Sequence, residues 1–385
     1  MDAAAAQLSQ DADLAVARGD LATAKAKLRA AAANGGASVD LQLKLAGLCR
    51  ATRDPSGALA AVETALALDP LHFVALLLRA SLLEQLGAPQ VGEAYGRALA
   101  QRPPGALPSQ LDALAARAAE SYAAHQAATD RRLAQAAAPA LAGATPAEAA
   151  SAARFRTNTV RLTRPYHSEP THYHYPGLVE REFHDRGNFA WLAALEAETD
   201  AIAADFARVV ATERAEIAPY VQYPENTPLR QWKALNNSRD WSAIHLLKNG
   251  ARVEANARHC PATMATLALL PQPDIPGLSP NAMFSLLAPG AHIPPHTGVA
   301  NTRLVCHLPL IVPERCWFRV GAETRLWRRG EAWVFDDTIE HEAANPSAEL
   351  RVILIVDVWH PGLSARERDA VAAIVAAFDA IDVAL

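Results

Sequence analysis

The sequence predicts a two-part α+β protein: an all-α solenoid of short helices, then an antiparallel sandwich or barrel of short strands with flanking helices. Three observations predict it. The first 150 residues are dominated by Ala, Leu and short polar side chains, whereas all seven Trp lie at or beyond Trp191. The N-terminal half aligns with itself at an offset of 34, and the C-terminal part breaks into short apolar segments separated by Pro and Gly. With 385 residues, 51% of them hydrophobic, the chain is long enough to bury two separate cores.

The offset of 34 superposes Gly19-Asp20 on Arg53-Asp54 and Gly87-Ala88, Ala24 on Ala58 and Gly92, and Pro70 on Pro104. Within each unit the apolar residues fall at spacings of three and four, as in ALAAVETALALDP at 58–70, so each unit reads as two short amphipathic helices closed by Pro. Small residues at the shared position let paired helices approach closely. The pattern resembles a tetratricopeptide array over about residues 7–104, with the large aromatic positions of that motif mostly absent. A capping helix follows at LDALAARAAESYAAHQAATDRRLAQAA, ending at 137. Such a solenoid offers a groove or packing platform, and its expected role is binding a peptide or protein. The small-residue run with two prolines over 138–154 reads as a linker, placing the first domain at 1–137 and the second at 155–385.

The second domain opens with a largely helical stretch over about 175–215, including FAWLAALEAETDAIAADFARVVATE. MATLALL, NAMFSLLAP, TRLVCHLPLIV, CWFRVG, RLWRRG, EAWVFDD and RVILIVDVWH follow as expected strands. Many short strands between turn residues favour a sandwich or barrel over a doubly wound sheet.

Charge and motifs narrow the function. Lys and Arg number 36 against 41 Asp and Glu, a net charge of −5 that lacks the footprint of a general nucleic-acid binder. Cys49, Cys260, Cys306 and Cys316 form neither a CxxC pair nor a dense disulfide framework, and the acidic N-terminus precedes no run of 18 apolar residues. A reducing, cytoplasmic setting without membrane association is expected. No GxGxxG or GxxxxGK[ST] follows a strand, and HEAAN at 341–345 has Asn345 where a zinc-protease helix needs its second His.

Five of the 13 histidines, His292, His296, His307, His341 and His360, cluster in the strand-rich part. In TRLVCHLPL, alternation sets Arg303, Val305 and His307 on one face and Leu304, Cys306 and Leu308 on the other. In RVILIVDVWH, Arg351, Ile353, Ile355 and Asp357 share a face. Inward arginines need an anion, because a guanidinium stripped of water and left unpaired is costly. A metal held by imidazoles with a bound dicarboxylate would supply one, although composition does not choose iron over zinc.

Three segments, FSLLAPGAHIPPHTGVANTRLVCHLPLIVP at 284–313, WRRGEAWVFDDTIEHEAANPSAELRVILIVDVWHP at 327–361 and more weakly RDWSAIHLLKNG at 239–250, resemble the aspartyl/asparaginyl β-hydroxylases. The likeness extends over about residues 160–365. It implies a double-stranded β-helix (jelly-roll, cupin-like) domain that uses iron(II), 2-oxoglutarate and dioxygen to hydroxylate an unactivated carbon, in the family the β-carbon of Asp or Asn residues. A small-molecule, free amino-acid or lipid-linked acyl substrate is the alternative, and a catalytically inactive interaction protein is a third reading.

The resemblance implies that His296 and His341 are the catalytic metal ligands. Arg351 would clamp the distal carboxylate of 2-oxoglutarate with Ser285, His307 would lie near the proximal carboxylate, and Trp241 would line the same pocket. Arg303 is a further candidate cofactor contact, or else binds a substrate carboxylate or a structural acid. Gly298 stands where most 2-oxoglutarate oxygenases carry a third, carboxylate ligand, an omission this family shares. Val305 replaces an arginine of the well-studied animal members, which leaves the substrate open.

Other residues have plainer roles. Asp336 and Asp337 are expected to cap a turn rather than substitute as ligands, His292 to orient a loop and His360 to hydrogen-bond structurally. His167, His172 and His174 read as a surface or substrate-rim loop, and His72 and His125 as packed or surface side chains.

Overall fold

The computed structural model describes residues 3–34, 38–212, 216–224, 226–275 and 277–382. It divides into two compact units at Thr163/Arg164.

The first unit is a stack of helical hairpins: α1 (Ala3–Ala17) with α2 (Leu21–Ala33), α3 (Val39–Ala51) with α4 (Pro55–Leu68), and α5 (Phe73–Gln85) with α6 (Val91–Leu99). The residues matched by the 34-residue offset turn each hairpin. Gly19, Arg53 and Gly87 all adopt positive φ (77°, 55° and 66°), the left-handed conformation that ends a helix. Asp20 and Asp54 then cap the next helix, accepting from the backbone N–H of Thr23 (3.0 Å) and Gly57 (2.8 Å). Ala88 has no such side chain, and α6 starts without a side-chain cap. Ala24 and Ala58 are fully buried at the shared small position. In the third hairpin that position is Gly92, where a Cβ would overlap the His125 ring of α7 (Ser109–Ala137). His125 is thus a packed side chain, and His72 caps α5 through Nδ1.

The expected linker at 138–154 is in part a helix, α8 (Pro146–Thr159). Thr145 with Glu148 forms a complete capping box, and Pro146 at the first helical position, where a missing N–H costs nothing, adds to the start signal. Arg156 pairs with Asp130 of α7 at 2.6 Å, which ties α8 into the first unit.

The second unit is a double-stranded β-helix of two antiparallel sheets. The larger sheet runs β1 (Ile217–Pro219), β2 (Trp241–Lys248), β4 (Ala282–Leu287), β11 (Arg351–Trp359), β6 (Arg303–Ile311) and β9 (Trp333–Phe335), with β3 (Ala251–Arg252) beside β2. The smaller runs β5 (His292–His296), β10 (His341–Ala344), β7 (Trp317–Val320) and β8 (Glu323–Leu326). The period of two sorts the side chains of the larger sheet. Leu304, Cys306, Leu308, Val352, Leu354 and Val356 face outward into a core shared with helices α9 (Leu192–Ala197) and α10 (Thr199–Val210). Val305, Ile353, Trp241 and Phe335 face inward against Ile293 and Phe318 of the smaller sheet.

Two expectations need correction. The helical reading of 175–215 holds over Leu192–Ala197 and Thr199–Val210, the residues before Leu192 are largely irregular, and 213–215 lie outside the described residues. MATLALL is not a strand: after α11 (Glu254–Ala257) its first residues end helix α12 (Pro261–Leu267), which has Pro at its first position and buries Thr263, Thr266 and Leu267 at helical spacing. The chain closes with α13 (Ala365–Asp382), and among the described residues no helix is long and apolar enough to cross a membrane.

Candidate active site

The strand register brings the two histidines together. His341 begins β10 and pairs with His296 at the end of β5, so their ring centroids stand 4.0 Å apart. His296 Nδ1 lies 2.7 Å from the carbonyl of Pro294, and His341 Nδ1 lies 3.1 Å from that of Ile339. A carbonyl can only accept, so each Nδ1 carries the proton and each Nε2 keeps its lone pair. Burial holds both rings neutral, at pKa values of about 3 for His296 and about 4 for His341; the neighbouring ring adds to the effect at His296. Two neutral imidazoles, each oriented by a backbone acceptor, have the donor set and the outer hydrogen bonds of metal ligands. Among the described residues no group of three His, Cys, Asp or Glu could hold a metal, so the pair stands without a third protein ligand.

The residues beside them form one end of a cavity of about 290 Å³. Trp241 Nε1 donates to Ser285 Oγ at 3.1 Å, across β2 and β4. Arg351 is 1% exposed, and among the described residues its acceptors are the carbonyl and hydroxyl of Ser285, at 3.4 and 3.5 Å. Its Nε has no partner, and burial without an anion pushes its pKa down to about 9. His307 is ringed by Phe335 and Phe318, at 4.6 and 5.0 Å between centroids, and its Nδ1 also has no partner. Burial first, and then the Arg351 charge, holds it well below the usual imidazole range. A buried cation and a neutral imidazole with open hydrogen-bonding positions beside two exposed lone pairs suit a small anion that also chelates a metal.

Arg303, expected among the cofactor contacts, is ion-paired within the protein, although its Nη1 makes no hydrogen bond. Its Nη2 lies 3.0 Å from Asp337 and its Nη1 3.3 Å from Asp357. Burial lowers its proton affinity, but the two carboxylates outweigh that and raise it. The structural acid weighed as one of its partners is therefore present twice. A Cβ built on Gly298 would overlap the Asp337 carboxylate, which explains why no side chain stands there. Asp336 caps its own turn, accepting from the backbone N–H and hydroxyl of Thr338 at 2.9 and 2.5 Å.

The remaining histidines lie apart from the pair. His292 bonds Glu342 at 3.0 Å, and His360 accepts from the Gly362 N–H at 3.0 Å. The segment with His167, His172 and His174 runs along the loop after His296: Thr171 N–H donates to Gly298, and those of His172 and Tyr173 to Val299. Sequence reasoning missed Tyr220, stacked on Trp241 at 3.8 Å, and Trp232, edge-on to His296 at 4.9 Å. Tyr220 follows the three-residue β1 and Trp232 lies in a short 3-10 helix, Arg230–Ala234, and neither element is long enough for periodicity to mark them. It also missed His245, an inward residue of β2 whose Nδ1 has no partner.

Residues 196–361 match the family model described as aspartyl/asparaginyl beta-hydroxylase. The human protein named aspartyl/asparaginyl beta-hydroxylase is 37% identical over 153 residues, 39% of this chain and 19% of its own length. The ornithine lipid ester-linked acyl 2-hydroxylase of Rhizobium tropici is 34% identical over 197 residues, 50% of this chain and 66% of its own. The likeness thus spans only about a fifth of the human enzyme but about two thirds of the bacterial one. PcrH from Pseudomonas aeruginosa aligns with 32% of this chain and 92% of its own at 19% identity and a TM-score of 0.27, too low to carry a conclusion.

Proposed function

Because the C-terminal unit belongs to the aspartyl/asparaginyl β-hydroxylase family, we propose that this hydroxylase is an iron(II)- and 2-oxoglutarate-dependent dioxygenase acting on an unactivated carbon. The observation that carries the reading is Arg351: a guanidinium 1% exposed, without an anionic partner, in the cavity that holds two imidazoles with free Nε2 atoms. A dicarboxylate whose other end chelates a metal answers both features at once.

His296 and His341 would hold the iron through Nε2, their Nδ1 protons already engaged by Pro294 and Ile339. Iron(II) with bound 2-oxoglutarate supplies the oxidation, in which dioxygen converts 2-oxoglutarate to succinate and carbon dioxide and a substrate C–H to C–OH. Arg351 orients the distal carboxylate, with the Ser285 hydroxyl, held by Trp241, as a second contact. His307 faces the metal-proximal end, and its neutral ring adds no charge there. Phe318, Phe335, Trp327 and Tyr220 line the walls and exclude water.

The substrate we favour is an Asp or Asn residue of a peptide or protein, hydroxylated at its β-carbon and recruited by the helical array. A lipid-linked acyl group is the second reading, favoured by the share of the Rhizobium tropici enzyme that matches. Four buried cysteines without disulfide partners suit a reducing, cytoplasmic setting. Anaerobic titration with iron(II) and 2-oxoglutarate tests the cofactor assignment. A weak visible charge-transfer band is expected, lost in His296→Ala, and its absence from the folded, metal-loaded protein would reject the assignment. A product heavier by ~16 Da, one oxygen atom, after incubation with peptide libraries or lipid extracts identifies the substrate class.

A further inference from the structure

The cavity has two ends. Arg351, Ser285 and Trp241 form one, and Arg303 with Asp357 and Asn281 the other, with Val305, Met283 and Ile355 between. At the second end one guanidinium meets two carboxylates, Asp337 at 3.0 Å and Asp357 at 3.3 Å, both buried, and Asp357 also accepts from Asn281 Nδ2 at 3.1 Å. No positive charge is left over there. Val305, one inward step along β6 from Arg303, is apolar.

Among the described residues, the other cations lining the cavity are Arg351, at its opposite end, and Lys248. Arg319 is bound to Glu342 and Glu340. Lys248 lines the cavity too, but Trp241, whose ring is 6.1 Å from that of His296, begins the strand that Lys248 ends. Seven residues of strand separate them by roughly 20 Å, far beyond the reach of a lysine side chain. A second cavity, of about 220 Å³, abuts the same pair: it shares Arg303, Asp357 and Asn281 and is otherwise walled mainly by apolar residues such as Ile275, Leu278 and Val299.

We propose that Arg303 is an internal cross-tie rather than an anion receptor, and that the group presented to His296 and His341 is uncharged: a carboxamide, not a carboxylate, where the substrate is a peptide. An aspartate side chain would set a third carboxylate beside one guanidinium. Like-charge juxtaposition of that kind lowers affinity by on the order of 100-fold. This inference rests on the hydroxylase reading and narrows its substrate from Asp or Asn to the uncharged member.

The test uses the full chain and begins with the visible band of the iron(II)–2-oxoglutarate form. A chain that forms no band refutes the cofactor reading and is scored apart from this inference. In the loaded chain, acetate should produce no saturable shift of the band, whereas V305R/D357N, which adds a guanidinium and neutralises the carboxylate opposite it, should acquire one. A saturable acetate response in the wild type, or none in folded V305R/D357N, overturns the inference. A second arm needs no cofactor. R303Q strands two buried carboxylates and should melt well below the wild type, and R303Q/D357N should recover part of the loss. An unchanged melting temperature in R303Q would mean that Arg303 does not hold those acids, which equally overturns the inference.

Discussion

Replacing Arg351 with Met should move stability and ligand affinity in opposite directions. The guanidinium is 1% exposed, its Nε has no partner, and its contacts to Ser285 are long. A buried charge without a counterion opposes folding, and a well-packed apolar side chain of similar volume in such a place is commonly worth about 1–4 kcal/mol. At roughly 2–4 °C per kcal/mol for a domain of this size, the ligand-free second unit should melt several degrees higher. The same substitution removes a bidentate, charge-assisted contact, a loss of about 2–5 kcal/mol in binding, so 2-oxoglutarate affinity should fall by roughly 30- to 4,000-fold. Melting curves with and without 2-oxoglutarate read both effects, because a ligand that binds only the folded state raises the transition by mass action. A ligand-free variant that melts lower while keeping the 2-oxoglutarate shift would refute the reasoning.

Acid should destabilise the second unit early. Burial holds His184, His245, His296 and His341 at about 4, 4, 3 and 4, below the ordinary 6.5. The unfolded chain therefore binds more protons between about pH 4 and 6.5, and stability that is complete above pH 6.5 falls by up to about 1.4 kcal/mol per pH unit per histidine as pH drops, which melting curves across that range measure. Asp336, raised to about 6 mainly by burial, favours the folded state at acid pH and offsets about one histidine. G298D should not create a third ligand, because its side chain meets Asp337. We expect unchanged or weaker iron(II) affinity and a stability loss of about 1–3 kcal/mol, with G298D/D337G recovering stability. G92A should destabilise the first unit by about 1–3 kcal/mol through overlap with the His125 ring, and G92A/H125A should melt higher than G92A.

The most legible parts were those whose chemistry repeats at a fixed spacing. Gly19, Arg53 and Gly87 align because each must end a helix in the left-handed conformation, and the rows Arg303-Val305-His307 and Arg351-Ile353-Ile355-Asp357 follow from strand alternation alone. MATLALL failed because a short apolar run fits either period, and Pro261, which decides it, lies upstream of the run. The helix that begins within 138–154 was hidden because Ala-rich composition masked its capping box. Alternation put Arg303 and Asp357 on the inner face, but not the pairing itself. Asp337 reaches Arg303 from the turn between β9 and β10, a meeting made by the fold of the two sheets rather than by any spacing along the chain. Tyr220 and Trp232 come from a loop and a five-residue 3-10 helix, too short for periodicity, and packing against Trp241 and His296 gives them a place.

The two histidines are each anchored to a carbonyl only two residues upstream, Pro294 for His296 and Ile339 for His341. Each ring is thus aimed by its own strand end, without help from a distant side chain. The rotamer entropy of ordering such a side chain, about 0.5–1.5 kcal/mol, is lost when the strands pair rather than when a ligand arrives. On the proposed metal reading, capture would require no reorientation of these two rings, so its rate should be set by access to the cavity and by shedding of the ion's own water. The free and loaded forms should then share one backbone and one pair of ring orientations.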